Sequence, residues 1–294
     1  MKTDRYADHL GLKWLILHDR DPAPYRHIGG RDRGRCKSTQ VGPSWRVPEN
    51  RFVGEIARTY DDQPETGMWD DGVLEATVDC LVELTDRGAA MEFAIGTGRV
   101  AVPLAARGVP VAGIELSADM LAVLRSKPEA NDITAVEGDM AVTFVEGEFS
   151  LVYLVFNTIM NLTTQDEQVA CFENAARHLR AGGRFVVETI VPGLRQLPPG
   201  NLGVPFALTE DYIGIDDFID RTHKQISRSR HFNRLPDGSF TENTLPFRYV
   251  WPSELDLMAR IAGMTLEHRW GWWDRSPFTG ESGSHVSVWR LAEA

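Results

Sequence analysis

Eight consecutive residues, Glu92-Phe93-Ala94-Ile95-Gly96-Thr97-Gly98-Arg99, stand where a hydrophobic strand hands over to a helix. Glycines in such a turn let the backbone approach a ligand closely and leave amide donors free at the helix start, which suits a carboxylate or phosphate oxygen. Nineteen residues after Gly96, Glu115 ends the next strand, where a carboxylate can accept hydrogen bonds from both hydroxyls of a ribose. The ligand implied is adenosine-like, with an anionic end. Gly96-x-Gly98-x-x-Ala101 also satisfies the relaxed dinucleotide fingerprint, so the glycines alone leave a nicotinamide cofactor and an NAD(P)-dependent oxidoreductase open.

The elements that must hold these residues follow from periodicity. Leu74, Val78, Leu81 and Val82 recur at helical spacing and predict a helix over 71–84. Strands at 90–94, 109–115, 133–136, 151–156 and 184–189 then mostly alternate with helices at 100–106, 117–126 and 165–179, which implies a parallel sheet covered by helices. Thr164 and Glu167 read as a capping box, and Ala181-Gly182-Gly183 as the turn ending the helix they start. Past Pro192 the rhythm changes to short alternating runs over 206–249, split by the turn Leu235-Pro236-Asp237-Gly238: a β-rich insertion. A helix over 253–262 stops at Gly263, and strands at 266–273 and 286–291 close an antiparallel pair.

Composition narrows the partners. The 294 residues carry a formal net charge of -11, which disfavours nucleic acid and anionic membrane as partners. No apolar run reaches the roughly 18 residues that cross a bilayer, and no signal-like segment opens the chain. Cys36, Cys80 and Cys171 are odd in number and lack metal-ligand spacing. A cytoplasmic protein without a metal is expected. Residues 1–50 hold ten Lys/Arg against six Asp/Glu, whereas from Arg51 onward the balance is 21 against 36. The expected organisation is an N-terminal extension, partly disordered or arm-like, over 1–50, a core over 51–191, an insertion over 192–250 capping the site, and the end of the core over 251–294.

Glu92 before the turn and Gly138-Asp139-Met140 after the third strand separate the cofactors: here the sequence resembles class I S-adenosylmethionine methyltransferases. Gly113-Ile114-Glu115-Leu116-Ser117-Ala118-Asp119-Met120-Leu121 is similar, more narrowly, to actinobacterial tailoring enzymes acting on sugars and secondary metabolites. The resemblance implies a Rossmann-like, seven-stranded, mostly parallel sheet with helices on both faces and an antiparallel last strand. It puts Gly96 and Gly98 against the methionine portion, Glu115 on the ribose, Leu116 and Met140 beside adenine, and Asp139 on the adenine amino group. Glu92 would orient the methionine ammonium or the turn, and Tyr60 resembles a residue of a segment that folds over the methionine carboxylate. Two positions depart from Glu-x-Gly-x-Gly-x-Gly: Ala94 stands at the first Gly and Arg99 at the last. The run 155–161 matches the fourth-strand exit, which places Phe156 and Asn157 at the site, with Asn161 on the substrate side.

Methyl transfer from a sulfonium is an in-line displacement in which positioning provides much of the acceleration, so a missing triad is no objection. A hydroxyl or ammonium acceptor would profit from a base, and among eight histidines His285, His231 and His223 lie where the site could be. His9, His18, His27, His178 and His268 read as solvated surface. Catalytic candidates are thus His285, His231 and Asn157. Trp270, Trp272 and Trp273 with Phe278 read as one aromatic cluster that could bind a flat or cationic acceptor, though core packing serves equally. The acceptor expected is a small molecule methylated on O, N or C, and a homodimer or higher homo-oligomer is compatible with the insertion. A methyltransferase-like binding protein without transfer is the non-enzymatic alternative. Calorimetric titration separates these readings: S-adenosylhomocysteine is expected to bind in the micromolar range, NADH and NADPH not at all, and Glu115→Ala or Asp139→Ala to abolish binding.

Overall fold

The computed structural model describes residues 50–62 and 67–293. The expectations for residues 1–49, among them His9, His18 and His27, lie outside these. In chain order the first half forms α1 (Glu55–Arg58), α2 (Asp71–Leu84), β1 (Ala90–Phe93), α3 (Ala101–Ala106), β2 (Val111–Glu115), α4 (Ala118–Ser126), β3 (Thr134–Glu137) and β4 (Phe149–Leu154). The second half forms α5 (Gln165–His178), β5 (Leu179–Ile190), β6 (Gly203–Leu208), β7 (Tyr212–Asp220), β8 (Ile226–Arg234), β9 (Phe240–Arg248), α6 (Pro252–Ile261), β10 (Met264–Trp270) and β11 (Ser284–Leu291).

Seven strands share one sheet in the order β10-β11-β5-β4-β1-β2-β3. Strands β1 to β5 pair in parallel, and β11 runs antiparallel between β5 and β10. Its parallel centre is buried on both faces, so β1, β2 and β4 are buried at every position and read as mostly apolar rather than alternating. Successive side chains point to opposite faces. Met91, Phe93, Val152, Leu154, Phe185 and Trp289 therefore pack under α5 and α6, whereas Ala90, Leu151, Tyr153, Val186 and Val288 pack under α2, α3 and α4.

Local signals set the helix boundaries. Asp70 caps α2 by accepting from the amides of Gly72 and Val73, Ser117 caps α4 through Met120, and Thr164 with Glu167 closes the expected capping box on α5. The far end of α5 corrects the expectation. The helix stops at His178, because Leu179 is already extended and pairs with Phe149, so sheet pairing takes over before the glycines are reached. Gly182 does adopt a left-handed conformation (φ +72°), but inside β5.

Strands β6 to β9 form a separate antiparallel sheet, turned at Leu235-Pro236-Asp237-Gly238 as the sequence predicts. It joins the core through apolar side chains, Phe218 and Phe247 among them, and through a buried polar network. Arg248, buried at the end of β9, donates to the side-chain oxygens of Gln168 on α5, Gln225 before β8 (2.7 Å) and Glu254 on α6 (2.9 Å). Gln225 donates in turn to Glu254 (2.6 Å), and Gln168 donates to the carbonyls of Ile159, Leu162 and Arg248. Removing one member of such a buried pair strands the other without a counter-charge. Arg248→Ala is expected to cost about 3–5 kcal/mol, readable as a lower urea midpoint with an unchanged slope.

Candidate active site

The site forms where the carboxyl ends of β1 and β2 meet. Gly96 sits at φ +58°, and its amide donates to Glu115 Oε2 (2.8 Å), while the amide of Ser117 donates to Glu115 Oε1 (2.8 Å). Burial pushes the Glu115 carboxyl up, and the amides of Ser117, Gly96 and Leu116 pull it back. A Cβ at Gly98 would lie 2.4 Å from Leu124, so this glycine permits the close seating of the turn on α4. Ala94 takes a left-handed conformation (φ +53°). That explains the family preference for Gly there, and Ala pays about 1 kcal/mol for standing in its place.

Asp139 follows β3. Its Oδ1 accepts from the Ala141 amide (2.8 Å), its own amide donates to the Thr143 hydroxyl (2.9 Å), and its carbonyl accepts from the Thr143 amide (2.8 Å). This loop is fixed from α5: Asn174 donates to the carbonyls of Met140 and Thr143, each at 2.9 Å. His178 Nε2 accepts from the Val145 amide (2.9 Å), and its Nδ1 meets the Asn174 carbonyl (2.7 Å). His178 was expected on the surface, but it is buried among Phe93, Phe144 and Phe149, and burial lowers its pKa. It is a loop anchor, and the signal for it was the i, i+4 pairing of Asn174 with His178 on the face that α5 buries.

Above the turn, rings of Phe52, Tyr60, Trp69 and Phe156 meet edge to face in sequence. The Arg99 guanidinium lies 5.4 Å from the Trp69 ring and 5.5 Å from that of Phe156, and donates to the Met68 carbonyl (2.8 Å). Burial pushes the Tyr60 hydroxyl up to about 12, against the charge of Arg99. Asp61 accepts from Thr97 (2.6 Å) and pairs with Lys127 (2.7 Å), and Lys127 also reaches the Thr97 carbonyl (2.7 Å). Ser117 bonds the Phe52 carbonyl and Asp119 accepts from the Gly54 amide. Residues 52–61 are thus tied down over the glycine turn.

Beneath Arg99 lie two buried carboxyls. Glu92 accepts from the Tyr153 hydroxyl (3.0 Å), and burial pushes it up to about 8, against that bond and the charge of Arg99. Glu188, at the end of β5, accepts from the Phe156 amide (2.6 Å) and is pushed up to about 7 by burial. Sequence reasoning missed Glu188, whose only signal was a lone acidic residue inside an apolar strand. It helps hold the β4 exit, where Phe156 and Asn157 both have positive φ (+60° and +59°). The Asn157 side-chain oxygen completes that brace by accepting from the Ile190 amide (2.7 Å) and the Thr189 hydroxyl (3.3 Å).

The remaining candidates scatter. Asn161 is exposed at the end of the turn Thr158–Asn161. His231 lies on β8, between the Tyr212 hydroxyl (2.6 Å) and Ser229 (3.2 Å). His285 is fully buried at the start of β11, with Nδ1 2.8 Å from the Ser287 hydroxyl. His223 and His268 are exposed. The expected aromatic cluster divides: Trp270, Trp272 and Trp273 join the core under α2 and α3, whereas Phe278 stands edge-on to His285. A cleft lined by Trp270, His268, Arg184 and Arg275 adjoins that core, away from the glycine turn.

A carboxylate offers about four acceptor positions; with amides on both oxygens, Glu115 keeps capacity for ribose hydroxyls. The amides of Gly96 and Gly98 are bonded within the site, to Glu115 and to the Ile95 carbonyl, rather than free as the sequence suggests; the anchored Asp139 and the Arg99 cation over the turn complete a set of groups that fits S-adenosylmethionine. Fold and site together define a class I methyltransferase. A family model described as a methyltransferase domain matches residues 90–183. The solved structure of the CcbJ methyltransferase from Streptomyces caelestis is 35% identical, covers 81% of this chain and 96% of its own, and superposes with a TM-score of 0.71. The chain belongs to the S-adenosylmethionine-dependent methyltransferases, and S-adenosylmethionine is its cofactor. It is also 28% identical to a cypemycin N-terminal methyltransferase from Streptomyces sp. over 69% of this chain and 83% of that one. A dTDP-3-amino-3,6-dideoxy-alpha-D-glucopyranose N,N-dimethyltransferase from Streptomyces fradiae is 35% identical over 48% of this chain and 55% of its own. These matches displace the oxidoreductase alternative.

The Glu92 carboxyl supplies a pH test. Its folded pKa lies above the unfolded value of about 4.3, so the stability it contributes is present at low pH and lost as pH rises through about 8. Glu92→Gln keeps the acceptor for Tyr153 without the charge. The variant is expected to melt close to the parent at pH 4, where the carboxyl is protonated in both states, and on the order of 10 °C above it at pH 9, with about half of that gap already present at pH 6, followed by calorimetry.

Proposed function

We propose that this chain transfers the methyl group of S-adenosylmethionine to a nitrogen of a small-molecule or peptide acceptor in secondary metabolism. The observation that carries the transfer is the buried Glu115 carboxylate, fixed between the amides of Gly96 and Ser117 at the exits of β1 and β2. Nitrogen as the acceptor atom is supported by the activities that the names of the cypemycin and aminosugar relatives carry. In this reading Gly96, Gly98 and Arg99 hold the methionine portion, with Arg99 facing its carboxylate. Glu115 takes the ribose hydroxyls, Leu116 and Met140 flank adenine, and Asp139 accepts from its amino group. Tyr60, Glu92, Ala94 and Phe156 shape the turn and its wall.

The cofactor supplies an electrophilic methyl on a sulfonium, and an unprotonated amine needs only to be held in line with it. Asn157 serves by bracing the β4 exit, His285 and His231 by lining the acceptor side from β11 and the four-stranded sheet, and Asn161 and Phe278 by bordering it. Trp270 and Trp272 act as packing. Buried free thiols at Cys80 and Cys171 support a reducing, cytoplasmic setting. Exposed Leu202, Leu208, Ile219 and Phe240, on and beside the four-stranded sheet, support a homodimer.

The test is transfer of radiolabelled methyl from S-adenosylmethionine to a panel of amino sugars and of peptides with free N-termini, each beside its hydroxyl counterpart. Label is expected on amines and absent from the alcohols. Label on an alcohol with none on its amine would reverse the assignment of the acceptor atom.

A further inference from the structure

One nitrogen on the acceptor side of the sheet has no partner. His285 is wholly buried, and its Nε2 makes no hydrogen bond among the described residues. A buried donor or acceptor left without a partner is destabilising, so an orphan here calls for an account.

The tautomer follows from the neighbours. Arg269 on β10 is held by both carboxylate oxygens of Asp256 on α6 (2.7 and 3.1 Å), and its Nε donates to the Ser287 hydroxyl (2.8 Å). A guanidinium only donates, so Ser287 accepts there and keeps one hydrogen to give. Among the described residues that hydrogen has one acceptor, His285 Nδ1. Nδ1 is then the bare nitrogen, and Nε2 carries the hydrogen. Burial and the nearby Arg269 push the imidazole pKa down to about 3, against Asp256, which keeps the ring neutral.

Direction follows from the strand. Nδ1 faces Ser287, two residues further into β11, and the two ring nitrogens diverge, so Nε2 faces away from Ser287, on the side of the ring nearer the carboxyl end of β5. His285 itself pairs with Thr189, and Phe278 stands edge-on to its ring. Strands lie about 4.8 Å apart, which puts this nitrogen roughly 10 Å beyond the β4 exit on the side away from β2 and β3. With the adenosine over β2 and β3, that is acceptor territory.

We propose that His285 recognises the methyl acceptor by donating Nε2–H to one of its oxygen atoms, a hydroxyl, ether or carbonyl near the methylated nitrogen, with Ser287, Arg269 and Asp256 fixing the tautomer. His285 is on this account a specificity residue rather than a base. The inference rests on the methyltransferase reading for its ligand, but its donor state stands on the hydrogen-bond chain alone.

Two measurements decide it. Long-range nitrogen–proton NMR of the full chain, 15N-labelled at histidine and saturated with S-adenosylhomocysteine, is expected to show His285 as the neutral Nε2–H tautomer from pH 5.5 to 8, and Ser287→Ala to mix the tautomers. An Nδ1–H tautomer or a charged ring would overturn the proposal. For the amine labelled best in the methyl-transfer panel, His285→Phe is expected to raise KM roughly tenfold with kcat and S-adenosylhomocysteine affinity nearly unchanged. His285→Gln, which places an amide N–H at the same reach, is expected to recover most of that loss and also guards against a folding defect in the Phe variant. An unchanged KM in His285→Phe, or a lowered kcat with a shifted pH profile, would defeat it. The NMR arm needs no acceptor, so a silent panel would count against nitrogen methylation while the spectrum still decides the donor.

Discussion

The bond between the Gly96 amide and the Glu115 carboxylate ties the exit of β1 to the exit of β2, and the site is organised around it. A parallel sheet brings its carboxyl ends to one edge but leaves the loops there free to diverge. A buried charge that must collect amide donors removes that freedom. Here it pulls in Gly96 from one loop and Ser117 from the next, and Ser117 spends its hydroxyl on capping α4 and meeting the Phe52 carbonyl. The segment over the site is thereby referred to the same carboxylate as the floor.

The same economy recurs at β4 and β5. Glu188 and Asn157 hold two consecutive left-handed residues at the β4 exit, a conformation that costs of order 1–3 kcal/mol at each non-glycine position. Ala94, Phe156 and Asn157, three of the non-glycine residues with positive φ, stand at strand exits on the edge of the sheet where the site forms. Burial raises the pKa values of both carboxyls near that guanidinium, so each carries less negative charge at neutral pH than an exposed carboxyl does.

Much of this was legible beforehand because it is periodic or punctuated. The parallel strands announce themselves as apolar runs, α2 by its stripe, α5 by its capping box, and the cofactor turn by glycines a fixed distance before Glu115. The parts that escaped depend on neighbours distant in sequence. Nothing around His178 says that Phe144 and Phe149 will enclose it, and nothing around Arg248 says that Gln168, eighty residues earlier, will meet it. The tryptophan run misled for another reason: adjacency in sequence suggested one cluster, but Phe278 belongs with His285, whose side of β11 is opposite to the side those rings pack on.

The place of β11 bears on how the molecule opens. Strand β10 reaches the sheet through β11 alone, so β10 and β11 can leave β5 only as a pair. Most of the residues proposed for the cofactor sit on β1 to β4 and their loops, which stay paired when that hairpin departs. Opening at the β5–β11 seam would separate the hairpin that carries His285 from the strands proposed to hold the nucleoside, and amide exchange would report the two parts separately. On the proposed assignment, a molecule that transiently frays at β5–β11 would release the acceptor while keeping the cofactor.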